Sequence, residues 1–410
     1  MRAGNSAAVS FYEESPVPVR RPGTEEVRLT MAPLRSAPAR WDELVPRTAA
    51  GLFNGRAWHQ THADPDAAAW HGVALGWVGG AGRPSLRTVV PMSHYDRAPT
   101  RPMLDPSRLF GSMLRGGRLR TPEAWGRITL IGATAGYRTV PVCHPDDEHL
   151  WARAVEYAIP DDGAAVILYL DGPTAGRLSR YFPRAPLILT HARTTMRIQG
   201  ATFEEHLAAL PRSRRTLAHR EERVFEDGAR VVKVLPLTAA LLPDLARLHP
   251  TPKEATSAER ELRRYLASPL AASAHVIMAT HNGVPVGYRL VFQHGDGLVA
   301  HRITVDPRRT GHFAEQPVLQ AHAPVRMCLA RHLQEIDFGV GGFTDKLRRG
   351  ARLLPLWSLL LRPPVGWTAR HTREVNRRRA GELFDAYAQD MDVDDLALLR
   401  LISQTGMFAA

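Results

Sequence analysis

The stretch EIDFGVGGFTDKLRRG, residues 335–350, gathers groups that can do chemistry. Lys346 within it is one of only three lysines, with Lys233 and Lys253, among 53 lysine and arginine residues. An ammonium on a flexible stem is a point charge with adjustable donors that can follow a carbonyl or phosphate oxygen through a reaction, whereas a planar guanidinium suits fixed bidentate pairing. Upstream, Asp337 sits between Ile336 and Phe338 as a strand residue would. Its carboxylate can orient an amine or take a proton, and it can equally pair with an arginine such as Arg302 across a sheet. Gly339, Gly341 and Gly342 allow the chain between them to turn sharply.

Arginines form the second set of candidates. The segment DPRRTGHFAEQP carries Arg308, Arg309 and one glycine, Gly311, ahead of a helix, a composition that suits phosphate through charge-assisted hydrogen bonds. A solvated basic loop would carry the same residues. Arg348 and Arg349 follow Lys346, and Arg302 lies in the strand AHRITV. In PRSRRTLAHREERVFEDG, Arg212, Arg214, Arg215, Arg220 and Arg223 line a predicted helix. There Arg215, His219 and Arg223 share a face, while Glu221, Glu222 and Glu226 offset part of the charge. Such a helix contacts nucleic-acid phosphates or is an exposed, salt-bridged helix. RHTREVNRRR, residues 370–379, adds basic area.

These groups need a scaffold. Residues 1–40 read as a partly flexible leader. From Trp41, GVALGWVGG and LRTVVPMSHY are expected strands around a Gly-rich hairpin, with WGRITLIG and AAVILYLD as further strands and DDEHLWARAVEYAI as a helix. A second region opens with the strand LTHARTTMRI. Thr202 followed by Glu204 and Glu205 starts a helix, Pro211 interrupts it, and Gly228 closes the helix that continues it. ARVVKVLPL is a strand, and PLTAALLPDLARLH and ATSAERELRRYLAS are helical. AHVIMATHNGVPVGYRLVFQHGDGLVAHRITVDP then reads as three antiparallel strands joined by NG and GDG turns. A helix over 317–332 with a kink or break at Pro324 precedes the strand EIDFGV. One or two helices end the chain.

A meander followed by a loop, a helix and another strand is the core order of the GNAT acyltransferase superfamily. FEEHLAALP with RRTLAHREER, HNGVPVGYRLVF and EIDFGVGGFTDKLRRG resemble its Fem-type, peptidoglycan-biosynthesis-associated branch, over residues 190–360 by motif and 41–190 by pattern. The resemblance implies an α+β protein with two GNAT-like domains, 41–190 and 191–365, each a mixed, largely antiparallel sheet flanked by helices, with C-terminal helices in 366–410. It implies an acyltransferase that forms an amide by direct transfer, with Lys346 in the transfer site; Asp337 is the candidate beside it to orient the amine or take its proton. Donor binding falls to Arg302, Arg308, Arg309, Gly311, Arg348 and Arg349. The donor is aminoacyl-tRNA or acyl-coenzyme A, with no tightly bound cofactor, and the acceptor is a small-molecule or peptide amine. The single glycine of DPRRTGHFAEQP is a degraded form of the coenzyme A signature, which tilts the reading toward tRNA. Backbone N–H groups in AHRITV or EIDFGV are the candidates to stabilise the oxyanion.

Composition narrows the field. The 410 residues carry a net charge of +12, which favours polyanionic partners or reflects the arginine-rich, alanine-rich usage of a GC-rich genome. Hydrophobic residues make up 44% and charged residues 23%, values of a globular protein. The two cysteines, Cys143 and Cys328, lie far apart and suggest a reducing cytoplasm. Neither a signal peptide nor a bilayer-length apolar run is expected, since LLPLWSLLL is too short. Phosphate-loop, dinucleotide and nucleophile-elbow motifs are missing. His59 and His62 lack a third ligand, so no metal is expected. A non-catalytic binder of RNA or of a precursor, on the same fold, stands as the alternative from another class.

Overall fold

A computed structural model describes residues 26–63, 70–79, 84–132, 136–308, 313–391 and 393–407, and the backbone of 17–20. Arg309 and Gly311 therefore lie outside the described residues, as does the tip of the expected Gly-rich hairpin.

The first half runs β1 (Val17–Arg20), β2 (Glu26–Pro33), α1 (Trp41–Leu44), α2 (Arg56–His62), β3 (Trp70–Val78) and β4 (Ser85–Tyr95). It continues through α3 (Pro106–Leu109), β5 (Ile128–Ile131), β6 (Val142–Cys143), α4 (Glu148–Ala158), β7 (Ala164–Asp171), α5 (Gly172–Ser179) and β8 (Leu187–Arg197). The second half has α6 (Phe203–Ala208), α7 (Arg212–Asp227), β9 (Arg230–Pro236), α8 (Leu242–Arg247), α9 (Pro252–Leu266) and the meander β10 (Ala274–His281), β11 (Val284–His294) and β12 (Gly297–Val305). Then come α10 (Glu315–Pro317), α11 (Ala323–Ala330), β13 (Glu335–Gly339), α12 (Phe343–Leu347) and β14 (Arg352–Arg362), and two helices close the chain, α13 (Ala369–Tyr387) and α14 (Val393–Thr405).

Local signals act as expected. The Thr202 hydroxyl accepts from Glu205 N at 3.2 Å and caps α6. Asn282 and Gly283 both have positive φ, 50° and 78°, the geometry of an Asn-Gly hairpin turn. The helix expected over 317–332 contains a π turn at Val318–His322, directly before Pro324. Proline has no N–H to continue the α ladder, and the wide turn absorbs the break.

Both halves share one continuous mixed sheet, ordered β1-β2-β3-β4-β5-β7-β14-β8-β13-β12-β11-β10-β9, with β6 paired to β4. Each half contains one parallel pair among antiparallel neighbours, β5 with β7 and β12 with β13. This is the α+β architecture of two GNAT-like halves, each a largely antiparallel sheet flanked by helices. The strands do not stay within the expected limits of 190/191 and 365. That first boundary falls inside β8, which pairs with β13 of the second half. β14, late in the chain, inserts between β7 and β8.

The run LLPLWSLLL explains β14. Leu353, Trp357 and Leu359 join one core, beneath α4 and the terminal helices, while Leu356 and Leu360 join another on the opposite face. A strand buried on both faces needs continuous apolar sequence rather than alternation. The first half also reaches across to the second: Phe53 and Trp58 pack with Phe292 and Val299 of β11 and β12. No helix among the described residues is long and apolar enough to cross a membrane.

Candidate active site

β12 and β13 are registered over three pairs, ending at Val299 opposite Asp337, and then part. Two local features shape the opening. Against β11, the register jumps from Ala300 opposite Val291 to Arg302 opposite Leu290, so His301 is the extra residue of a bulge. On the other strand, Gly339 adopts φ 69° and its N–H donates to Asp337 Oδ1 at 2.8 Å. Gly341 and Gly342, at φ 77° and 56°, complete a reversal that a β-carbon would strain. The reversal brings α12 back over β13. Lys346 Nζ donates to Phe338 O at 2.8 Å and to Gly341 O at 2.6 Å.

Across the opening stands Arg289 of β11, 2% exposed. Its Nη2 donates to Ala300 O at 3.1 Å and its Nη1 to Gln320 O at 3.3 Å. Pro324 has no N–H for the carbonyl four residues back, which is Gln320 O, so the guanidinium takes the place of the missing helix donor. Arg289 Nε and Gln320 Oε1 are buried without a hydrogen-bond partner among the described residues. Ala300 and Phe338 are the first residues beyond the last registered pair, and the carbonyl of each is held by a buried cation.

The electrostatics follow from this placement. Burial, and then the charge of Arg289, lower the Lys346 pKa to about 7, against a partial opposing pull from Asp337. Burial likewise lowers Arg289 to about 10. The buried Lys346 ammonium beside the fixed cation Arg289 suits stabilisation of negative charge that develops on a reacting oxygen.

The remaining expected residues divide. Asp337, fully buried, accepts from Arg193 Nη1 of β8 at 2.8 Å, so its partner is Arg193 rather than Arg302. Arg302 instead pairs with Glu261 of α9. Arg349 is engaged by Glu221 of α7, through Nη2 at 2.5 Å and Nε at 3.1 Å. The same α7 carboxylates clamp His322, with Glu221 at 3.0 Å and Glu222 at 2.7 Å, and their hydrogen bonds raise the His322 pKa against the effect of burial. Arg348 is exposed beside Asp390, at 3.9 Å. On α7, Arg212, Arg220 and Arg223 are exposed, while Arg214 donates to Asp390 O at 3.1 Å and Arg215 to Ala208 O at 3.4 Å. Arg308 pairs with Asp306 at 3.0 Å and, with Arg247, His249, Thr251 and Pro285, lines a cavity of about 590 Å³ at the end of β12.

Two groups escaped the sequence reading. Arg193 and Arg289 each stand in the middle of an apolar strand, THARTTMRI and GYRLVF, and a charge at such a place must find a buried partner. That was the available signal. The second group is His301, Glu261, Tyr265 and His62, on the sheet face opposite Arg289. His301 Nε2 lies 3.1 Å from Glu261 Oε1 and 2.9 Å from the Tyr265 hydroxyl, which is 3.2 Å from His62 Nε2. His62 was visible only as half of a histidine pair.

A half-sheet that parts after the parallel β12–β13 pair, with buried cations at the parting, has the GNAT-like arrangement. Residues 208–347, from the last residue of α6 through α12, match the acetyltransferase (GNAT) domain family. No curated protein matches the chain. Among solved structures, FemX superposes with a TM-score of 0.51 at 11% identity, over 78% of this chain and 94% of its own. The tandem GNAT protein from the clavulanic acid biosynthesis pathway aligns at 13% identity over 82% of this chain and 99% of its own, TM-score 0.45. L-PGS from Bacillus licheniformis aligns at 6% over 70% and 83%, TM-score 0.40. At 11% identity the likeness to FemX is one of fold, and the domain match supports an acyltransferase.

Proposed function

We propose that the protein transfers an aminoacyl group directly from aminoacyl-tRNA to an amine acceptor, forming an amide where β12 and β13 part. The observation that carries this is the occupation of Ala300 O and Phe338 O by Arg289 and Lys346. An extended, amide-bearing arm such as the pantetheine of coenzyme A docks by pairing with open backbone groups on a strand edge. Here the two carbonyls at the mouth of the opening are already taken, and what faces the reacting carbonyl is positive charge. The exposed arginines of α7 support a polyanionic donor, because the Glu221–Arg349 pair ties α7 to the turn that follows the helix carrying Lys346. The net charge of +12 acts in the same direction.

Acyl-coenzyme A as donor is the second reading, favoured by the acetyltransferase domain match and by the cavity beside Arg308. Ribonuclease separates the two. With a pool of aminoacylated tRNA and a panel of primary amines, product formation should stop on ribonuclease treatment and fall steeply with added salt. Lys346→Ala should lower kcat by about 100-fold with the fold intact, the usual cost of one lost oxyanion donor. Transfer from an acyl-coenzyme A that survives ribonuclease would reassign the donor.

A further inference from the structure

Amide formation requires the attacking amine to give up a proton, and neither Lys346 nor Arg289 is placed to receive one while each stabilises negative charge. On the opposite face of the sheet, at the same parting of β12 and β13, the bulge residue His301 faces α9 and α2. Its ring packs at 5.8 Å from those of Tyr265, Phe292 and Trp58, and its side chain remains 21% exposed.

The hydrogen bonds around this ring fix its tautomer. His62 spends its Nδ1–H on Trp58 O at 2.9 Å, which leaves Nε2 as an acceptor toward the Tyr265 hydroxyl. The single Tyr265 proton then goes to Glu261, at 2.9 Å, or to His62. In both cases His301 Nε2 meets only acceptors, the Glu261 carboxylate and the Tyr265 oxygen, so the proton resides on Nε2 and Nδ1 is the free base. Glu261 stays a carboxylate: burial pushes its pKa up, but the hydrogen bond from His301, the charge of Arg302 and the hydrogen bond from Tyr265 outweigh this and lower it to about 2. His301 Nδ1 has no hydrogen-bond partner among the described residues.

We propose that His301 is the proton acceptor for the amine and that Glu261 is the positioning residue that holds it in the Nδ1-basic form; this rests on the acyl-transfer reading above. As the amine nitrogen bonds to the acyl carbon, His301 Nδ1 takes its proton. The carbon–oxygen bond to the tRNA ribose, or the carbon–sulfur bond of a thioester, then breaks, and the leaving oxygen or sulfur receives the proton that His301 releases. The acceptor approaches from the α9 side, and the oxyanion forms toward Lys346 and Arg289. The charged and titratable groups around His301 are Glu261 and Tyr265 from α9, His62 from α2 and Arg302 on its own strand.

The test compares wild type, His301→Ala and Glu261→Gln with the donor that supports turnover and two probe amines, benzylamine and hydroxylamine. Benzylamine is largely protonated at neutral pH, and hydroxylamine is not. His301→Ala should lose about 100-fold in kcat on benzylamine, the lower range for a lost general base, and far less on hydroxylamine. The acidic limb of the kcat/KM profile with benzylamine should become shallower by one proton in the variant, leaving the ionisation of the amine itself. Retained turnover on hydroxylamine shows that the variant is folded. Nitrogen-15 NMR of the resting wild type should give the Nε2–H tautomer for His301, and Glu261→Gln should change it. Equal losses on both amines, no loss on either, or an Nδ1–H tautomer would overturn the assignment. Wild-type inactivity with every donor removes the acyl-transfer reading itself, and the role of His301 with it.

Discussion

Lys346 is held by two carbonyls and faced by an arginine, while the Asp337 carboxylate that pulls on it is committed to Arg193, and this arrangement sets how it titrates. In the folded protein its pKa is about 7, against an ordinary value of 10.5. Between these values the unfolded chain keeps a proton that the folded chain has released. Stability therefore rises with pH across that window, by at most about 1.4 kcal/mol per pH unit, and is level on either side. Below the window the buried charge is a standing cost. Lys346→Met removes the titrating group at similar length, so its urea-unfolding free energy should lack the rise seen in wild type between about pH 7 and about pH 10. Parallel curves for the two proteins would show that the amine titrates like an exposed lysine. The scarcity of lysine pointed to this residue in the sequence. The environment that tunes it was not legible, because Arg289 reaches the site through partners far from it in the chain.

At the scale of elements, the Arg193–Asp337 pair joins β8 to β13 and so links the two halves of the sheet at the floor of the site. Removing one partner of a buried ion pair leaves an uncompensated charge, and Asp337→Asn should destabilise the protein by about 3–5 kcal/mol. Arg193→Met with Asp337→Leu, which removes both charges, should recover much of that loss. Denaturant titration of the three proteins checks this. An Asp337→Asn protein of wild-type stability but without turnover would return the residue to a chemical role. Helix caps, the Asn-Gly turn and the break at Pro324 were readable because each is decided within a few residues. The Arg193–Asp337 partnership spans 144 positions and the Arg302–Glu261 pair 41, and no local pattern specifies either. Alternation placed Asp337 on one face of its strand without saying what stood opposite.

The whole molecule is one sheet whose halves exchange strands. The sequence shows the two α+β halves, since the order of strands and helices in each is a succession of local choices. It does not show that β14 crosses to lie between β7 and β8, because LLPLWSLLL states only that a strand is buried on both faces. The exchange matters for function, because β8 pairs with β13 at the floor of the site and α2 of the first half contributes His62 to the face opposite Lys346. The most direct test of the account is a structure of the full chain with a non-hydrolysable aminoacyl-tRNA end analogue. The acyl carbonyl oxygen should lie within hydrogen-bond distance of Lys346 Nζ, between β12 and β13, with the amine side open to His301. An analogue bound elsewhere, with Lys346 still enclosed by Phe338 O and Gly341 O, would contradict it.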